Sequence, residues 1–311
     1  MTSVTEHVED YLRLRRALGF KLTGYDRPLA SFAAYVDAAG AGTATAELAT
    51  TWAWQPAGIK PVTASFRMGW VRGFARYLHA IDSVHEIPPP GLLSVPRRRP
   101  APYLYSPEQL LRVLAQARRL RPRLHAATYE TLFGLLAATG MRVGEALALT
   151  RRDVDLGEGT FTIRHAKFNR MRLVPLHPST IERLRRYART RDRLRPNQSC
   201  PDGLDDRFFA TSTGRVIQRW DAERMFLQIT TQLGLRTATV HPRIHDLRHT
   251  FAVQTLIGWQ RDGTDVHAML PVLSTYLGHV EPKNTYWYLS ATPELMQLAA
   301  DRLDQHFGDR S

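Results

Sequence analysis

His245-Asp246-Leu247-Arg248-His249, then Leu277-Gly278-His279, then a nine-residue step from His279 to Tyr288: these stretches decide how the chain reads. His245 and Arg248 stand at i, i+3 after Pro242. At a helix start they share one face, and the helix N-terminus itself favours an anion. Upstream, Arg142 and Glu145 repeat the i, i+3 spacing after Ala138-Thr139-Gly140. A guanidinium fork there can take two non-bridging phosphate oxygens while the carboxylate fixes the fork. With Lys167 added, two arginines, a lysine, two histidines and a tyrosine form a set suited to one job. They can hold a phosphodiester while an oxygen nucleophile attacks phosphorus.

The chemistry of that set is specific. Lys167 could protonate a departing oxygen. A tyrosine hydroxyl has a pKa of ~10, so reaching phenolate at pH 7 costs about 4 kcal/mol. Clustered cations could remove much of that cost, or a neutral histidine could take the proton. Tyr288, Tyr286 and Tyr276 all compete for the role, and local chemistry alone does not separate Tyr286 from Tyr288. His241, His245 and His249 are spaced four and four, which on one helix would suggest a metal. Pro242 pushes His241 out of helical geometry, and no HExxH pattern accompanies them, so no metal or cofactor is expected. His249 reads as a satisfied, partly buried histidine.

Bulk properties bound the rest. At about 150 residues per domain, 311 residues predict two domains. A hydrophobic fraction of 43% supplies ample core and argues against wholesale disorder. Lys plus Arg number 42 against 29 acidic residues, and a net charge of +13 points to a polyanion, nucleic acid first and an anionic membrane surface second. No run of ~18 apolar residues predicts a membrane span, and Met1-Thr2-Ser3-Val4-Thr5-Glu6 has neither the basic nor the apolar region of a signal peptide. The single Cys200 excludes an intrachain disulfide framework and fits a reducing cytoplasm.

Apolar periodicity predicts helices over 4–18, 26–39, 45–54 and 61–80, an all-α N-terminal domain spanning 1–86. Arg67, Arg72 and Arg76 point off the apolar stripe of the last helix and are candidate DNA contacts. Ile87-Pro88-Pro89-Pro90-Gly91 and Pro96-Arg97-Arg98-Arg99-Pro100 cannot be regular helix, so 87–104 reads as a stiff, cationic linker. Its Arg97, Arg98 and Arg99 suit a strap across a phosphate backbone. Ser106-Pro107-Glu108-Gln109 carries the N-cap, N1 and N3 residues of a helix start. Further helices are predicted over 106–119, 122–139, 143–150, 179–194, 220–233, 244–259, 265–277, 282–289 and 293–306. Two short runs, 160–164 and 171–176, read as a β-hairpin with Lys167 in or beside its turn. Pro175 argues for an edge strand. Arg170 and Arg172, beside that turn, join the candidate DNA contacts. The expected architecture is mainly α with a small β-hairpin or sheet: an all-α N-terminal domain and an α+β catalytic domain over 105–311.

These residues resemble the tyrosine recombinases, also called phage-type integrases. Thr139-Gly140-Met141-Arg142-Val143-Gly144-Glu145 looks like that family's first arginine box. Lys167 precedes Arg172-Leu173-Val174-Pro175-Leu176 as the family's hairpin lysine precedes its strand. His245 through Ala252 matches the second box almost verbatim, and the step from His279 favours Tyr288 over Tyr286. The resemblance covers 139–288 in detail, and the N-terminal helices look like the family's core-binding domain. The aromatic-rich Asn284-Thr285-Tyr286-Trp287-Tyr288-Leu289 looks like transposon-borne members.

The resemblance implies site-specific recombination of double-stranded DNA through a 3′-phosphotyrosyl link. Arg142 and Arg248 would clamp the scissile phosphate, and His245 would assist proton removal or bond a phosphate oxygen. His279 would bond another, Glu145 would support the site, Lys167 would protonate the leaving 5′-oxygen and Tyr288 would attack. It further implies four protomers on two duplexes, with the helix at 293–306 a candidate for docking on a neighbour. Partner recombinases or accessory proteins and a nucleoid-associated place in the cytoplasm also follow from it. The competing readings are a type IB topoisomerase, which shares this layout, and an inactive DNA-binding accessory factor. A metal-dependent nuclease or transposase would need a carboxylate triad the chain does not offer.

Overall fold

Apolar residues at helical spacing fold the first part of the chain into four helices: α1 (Glu6–Ala17), α2 (Asp26–Ala38), α3 (Ala46–Ala53) and α4 (Pro61–Ile81). The computed structural model describes residues 3–95, 101–164, 171–194, 207–213, 215–290 and 297. It divides the chain into two compact units, Met1–Arg99 and Pro100–Ser311. In the first, the stripes meet in one core that includes Leu12, Leu29, Phe32, Trp52, Met68 and Phe74. Burying each such side chain contributes ~1.5–3 kcal/mol. Thr45 caps α3 by accepting from the Leu48 amide, and Pro61 opens α4 at a position where its missing N–H costs nothing.

Local chemistry sets the second unit in the same way. Ser106 and Gln109 form a reciprocal capping box that starts α5 (Pro107–Arg118). α6 (Arg123–Thr139) stops at Gly140, whose φ of 60° is a left-handed conformation that glycine adopts without strain. α7 (Val143–Ala148) follows, then a 3-10 turn at Arg151–Asp153 and a three-stranded antiparallel sheet. Its strands are β1 (Val154–Asp155), β2 (Thr160–Ile163) and β3 (Arg172–Pro175). Phe161 pairs with Val154 on one side and Val174 on the other. β3 lies at the edge, where Pro175 sacrifices no ladder bond in the sheet interior. The sequence analysis anticipated β2 and β3 as a hairpin; two-residue β1 is too short for any period-two pattern to announce it.

Among the described residues that follow, the helices are α8 (Pro178–Leu194), α9 (Arg219–Gln232), α10 (Asp246–Arg261), α11 (Val266–Leu277) and α12 (Lys283–Tyr286). Where one helix over 282–289 was expected, α12 makes a single turn and the chain tightens into a 3-10 turn, Trp287–Ser290. The fold is mainly helical with one small sheet. Apart from residue 297, which is helical, the expected helix at 293–306 lies outside the described residues, as do the hairpin turn with Lys167 and Arg170 and the arginines Arg97, Arg98 and Arg99. At the ends of the expected linker the chain is packed. Leu92 and Leu93 join the first core, and Tyr103 and Tyr105 join the second.

Gly140 tests how tightly the second unit is assembled. A Cβ there would lie 2.5 Å from Phe251 Cδ1 and 3.1 Å from Leu277 Cδ2. The left-handed penalty of ~1–2 kcal/mol adds to an overpacking cost of ~1–3 kcal/mol. Gly140→Ala should therefore lower the urea midpoint by an amount equivalent to about 3 kcal/mol. An unchanged midpoint would show that Phe251 moves aside at no cost.

Candidate active site

Two consecutive carbonyls gather the cations. Leu277 ends α11, Gly278 takes φ 69°, and the chain reverses direction so that the Leu277 and Gly278 carbonyl oxygens both accept from arginines. Arg248, on α10, donates to Leu277 O at 2.9 Å and to Gly140 O at 2.8 Å. Arg142, the N-cap of α7, donates to Gly278 O at 3.0 Å. His279 follows directly. Residues far apart in the chain thus converge because helix ends at 140, 142 and 278 meet the side of α10.

Arg248 is 2% exposed. Burial, then the charge of Arg142, lowers its pKa to about 10, while Tyr288 and Glu145 oppose the shift. It remains cationic at neutral pH. Neutral carbonyls compensate a buried guanidinium incompletely, so the site keeps a standing preference for an anion.

Glu145 joins two of the arginines. It accepts from Arg142 Nη1 at 2.7 Å and from Arg172 Nη2 at 2.7 Å, and it also receives the Arg142 amide at 3.1 Å. Burial alone would raise its pKa, but hydrogen bonds and charge from Arg172, then Arg142, outweigh this and hold the carboxyl below the usual range. Arg172 also donates to Tyr276 O at 3.1 Å, and its guanidinium lies against Gly278, where any Cβ would meet it at 2.5 Å.

Arg172, expected as a DNA contact, is thus held within the site. Its side chain is 10% exposed and anchors Glu145 from β3. On α4, Arg67 donates to Trp52 O at 2.7 Å with its guanidinium stacked over the Trp52 ring. Arg72 donates to Pro88 O and Pro89 O. Both guanidinium groups bond carbonyls of their own unit, and Arg76 is exposed. A sequence pattern reveals that an arginine leaves the apolar stripe, not that a nearby carbonyl captures it.

The histidines divide the remaining work. His279 Nδ1 lies 2.7 Å from Thr285 Oγ1, which ties the reversal after α11 to α12. Burial, then Arg248 and Arg142, pushes the His279 pKa down to about 3. Partial burial, then His249, Arg248, Arg243 and Arg142, pushes His245 to about 3 as well. Part of the His245 residue nevertheless remains exposed to solvent. Tyr288 is 2% exposed, and its hydroxyl lies 3.1 Å from His249 Nδ1. Tyr286, its competitor, is 49% exposed. The structure thus brings together Arg142, Glu145, His245, Arg248, His279 and Tyr288, while Lys167 lies outside the described residues. Arg172, Thr285 and the link from His249 to Tyr288 were missed. One signal was available for His249, which falls one helical turn after His245 and so on the same face.

A helical unit with a three-stranded sheet thus gathers two arginines, two histidines and a buried tyrosine in one part of the chain. Residues 105–294 match the description "Phage integrase family". The y4rB integrase/recombinase of Sinorhizobium fredii is 42% identical over 100% of both chains. Tyrosine recombinase XerD of Rhizobium meliloti is 28% identical over 93% of this chain and 91% of its own. Among solved structures, the XerH site-specific recombinase bound to a palindromic difH substrate has a TM-score of 0.67 at 20% identity, over 95% of this chain and 84% of that one. The Tn1549 transposon integrase in complex with transposon right end DNA has a TM-score of 0.65 at 16% identity, over 97% and 99%. The chain belongs to the phage integrase family and is a tyrosine-type site-specific DNA recombinase.

The depressed histidine pKa values make a stability prediction. An unfolded histidine titrates near 6.5, so between pH ~6.5 and ~3 the unfolded chain binds protons that the native chain does not, and stability falls as pH drops. The melting temperature should be lower at pH 5 than at pH 8. His279→Gln should reduce that difference by removing one of the responsible groups. Identical melting curves at both pH values would contradict this electrostatic picture.

Proposed function

We propose that Arg142 and Arg248 clamp the scissile phosphate of double-stranded DNA, and that Tyr288 attacks it. What supports this most is the pair of adjacent carbonyls, Leu277 O and Gly278 O, that orient both guanidinium groups beside His279 in the unit that buries Tyr288. The arginine forks oppose the charge that builds on the non-bridging oxygens in the transition state. Losing one such donor typically costs ~10²–10³ in rate. His279 and His245, kept neutral, each donate a hydrogen bond to a phosphate oxygen. Glu145, held by Arg172, keeps Arg142 in register.

In the chemical step the Tyr288 hydroxyl loses its proton and Oη bonds to phosphorus. The bond to the 5′-oxygen breaks, and Lys167 supplies the proton that oxygen needs. The DNA is then held as a 3′-phosphotyrosine. A 5′-hydroxyl from a partner strand attacks this link and releases the tyrosine, so the energy of the original bond is retained. Fixed cations take the part that a metal ion plays elsewhere in phosphoryl transfer.

Exchange between two duplexes requires four protomers, two on each duplex. The exposed Arg76 and the basic residues 97–99 and 170 supply backbone contacts from both units. The 42% and 36% identities to two integrase/recombinases of Sinorhizobium fredii exceed the 28% to XerD. That ranking favours service to a mobile genetic element over chromosome dimer resolution. Partner recombinases and a nucleoid-associated location in the cytoplasm accompany that role.

Tyr288→Phe should abolish covalent trapping of a nicked duplex bearing the recombination site, by denaturing gel, while gel-shift binding stays within about twofold. Tyr286→Phe should still trap. Trapping that survives Tyr288→Phe and disappears with Tyr286→Phe would move the nucleophile to Tyr286.

A further inference from the structure

One contact remains outside the scheme above: the hydroxyl of Tyr288 is paired with a histidine other than the one in the i, i+3 motif with Arg248. His249 Nδ1 is 3.1 Å from Tyr288 Oη. Two rings fix the imidazole of His249. His245 lies perpendicular to it at 4.8 Å between centroids, and Trp287 packs edge-on at 5.4 Å. Helix α10 therefore presents two adjacent imidazoles with different surroundings. His245 is exposed to solvent, where a phosphate can arrive, whereas His249 is half-buried against the phenol. The depressed pKa of His245 fits a hydrogen-bond donor that stays neutral rather than a proton acceptor.

Building on the assignment of Tyr288 as the nucleophile, we propose that His249 is a catalytic residue: its Nδ1 takes the Tyr288 proton as Oη attacks phosphorus. With the imidazole hydrogen on Nε2, Nδ1 is the lone-pair acceptor, and the phenol O–H points at it before DNA arrives. As the Oη–P bond forms and the P–O5′ bond breaks, the phenol proton moves to Nδ1 and His249 becomes an imidazolium. The leaving 5′-oxygen takes a separate proton from Lys167. In the reverse step the 5′-hydroxyl attacks phosphorus and gives up its proton to the neutral Lys167. The departing tyrosyl oxygen recovers its own from His249. Each half-reaction leaves every proton accounted for. His245 is thereby assigned to the phosphate, and the two tasks open to it on sequence grounds fall to two residues.

The test separates the nucleophile side from the leaving-group side. Single-turnover cleavage is followed on nicked duplexes carrying the chain's recombination site, one with the natural 5′-oxygen and one with a 5′-bridging sulfur, a leaving group that needs no proton. General-base loss typically costs ~10²–10⁴ in rate, so His249→Ala should slow both substrates by about 100-fold or more. Added imidazole should restore part of the rate. Lys167→Ala should slow the oxygen substrate alone. His249→Asn keeps a polar group near the position of Nδ1 but cannot accept the proton, and it should remain slow. Gel-shift affinity close to wild type confirms that each variant is folded. Wild-type rates in His249→Asn would reduce the histidine to a prop and overturn the proposal. So would a slow His249→Ala that imidazole does not rescue, or a defect that vanishes on the sulfur substrate. Persistent trapping by Tyr288→Phe would instead overturn the choice of nucleophile.

Discussion

A guanidinium held almost wholly out of water is the constraint around which the second unit is arranged. Arg248 is 2% exposed, and two carbonyl oxygens, from Gly140 and Leu277, receive its hydrogen bonds. Those carbonyls become available because α6 and α11 both end in left-handed glycines, Gly140 and Gly278. Had either helix continued, its last carbonyl oxygens would have turned inward to bond their own backbone. One buried charge therefore fixes the relation of three helices, and that relation places Arg142, His279 and Tyr288. Burying that charge costs stability, which two neutral carbonyls offset only in part.

Much of this was legible in the chain. The helices α1 to α6 and α8 to α11 fall close to the windows predicted by apolar spacing, because their stripes are regular and their caps, such as Ser106-Pro107 and Gly140, are chemically distinct. The motif residues Arg142, Glu145, His245, Arg248, His279 and Tyr288 were also identified. Other features were not accessible to pattern. A two-residue strand carries no periodicity, and the tightening from α12 into a 3-10 turn depends on tertiary packing. The use of an arginine is likewise invisible locally. Arg67 and Arg72 leave the apolar stripe and Arg172 flanks the hairpin turn, and nothing local tells that carbonyls and a carboxylate of their own units bond their guanidinium groups.

The segment that carries Tyr288 is tied at two points that differ in kind. His279 grips Thr285 within α12, and His249 meets Tyr288 in the following 3-10 turn. One bond positions the segment and the other reaches the phenol oxygen proposed to attack. Arg172 adds a third support further back, because Glu145 and Tyr276 O both depend on it. A 3-10 turn has poorer hydrogen-bond geometry than an α-helix and often marks a hinge. Side-chain ties just before it, at Thr285, and within it, at Tyr288, compensate for that.

The central claim is that these groups surround one phosphorus atom and that Tyr288 bonds to it. Its most direct test is to trap the protein on a nicked recombination site, digest both components and locate the nucleotide adduct by tandem mass spectrometry. The account predicts a single modified peptide with the DNA remnant on the Tyr288 oxygen through a 3′-phosphate. An adduct on Tyr286, on Tyr276 or on a 5′-phosphate would contradict it.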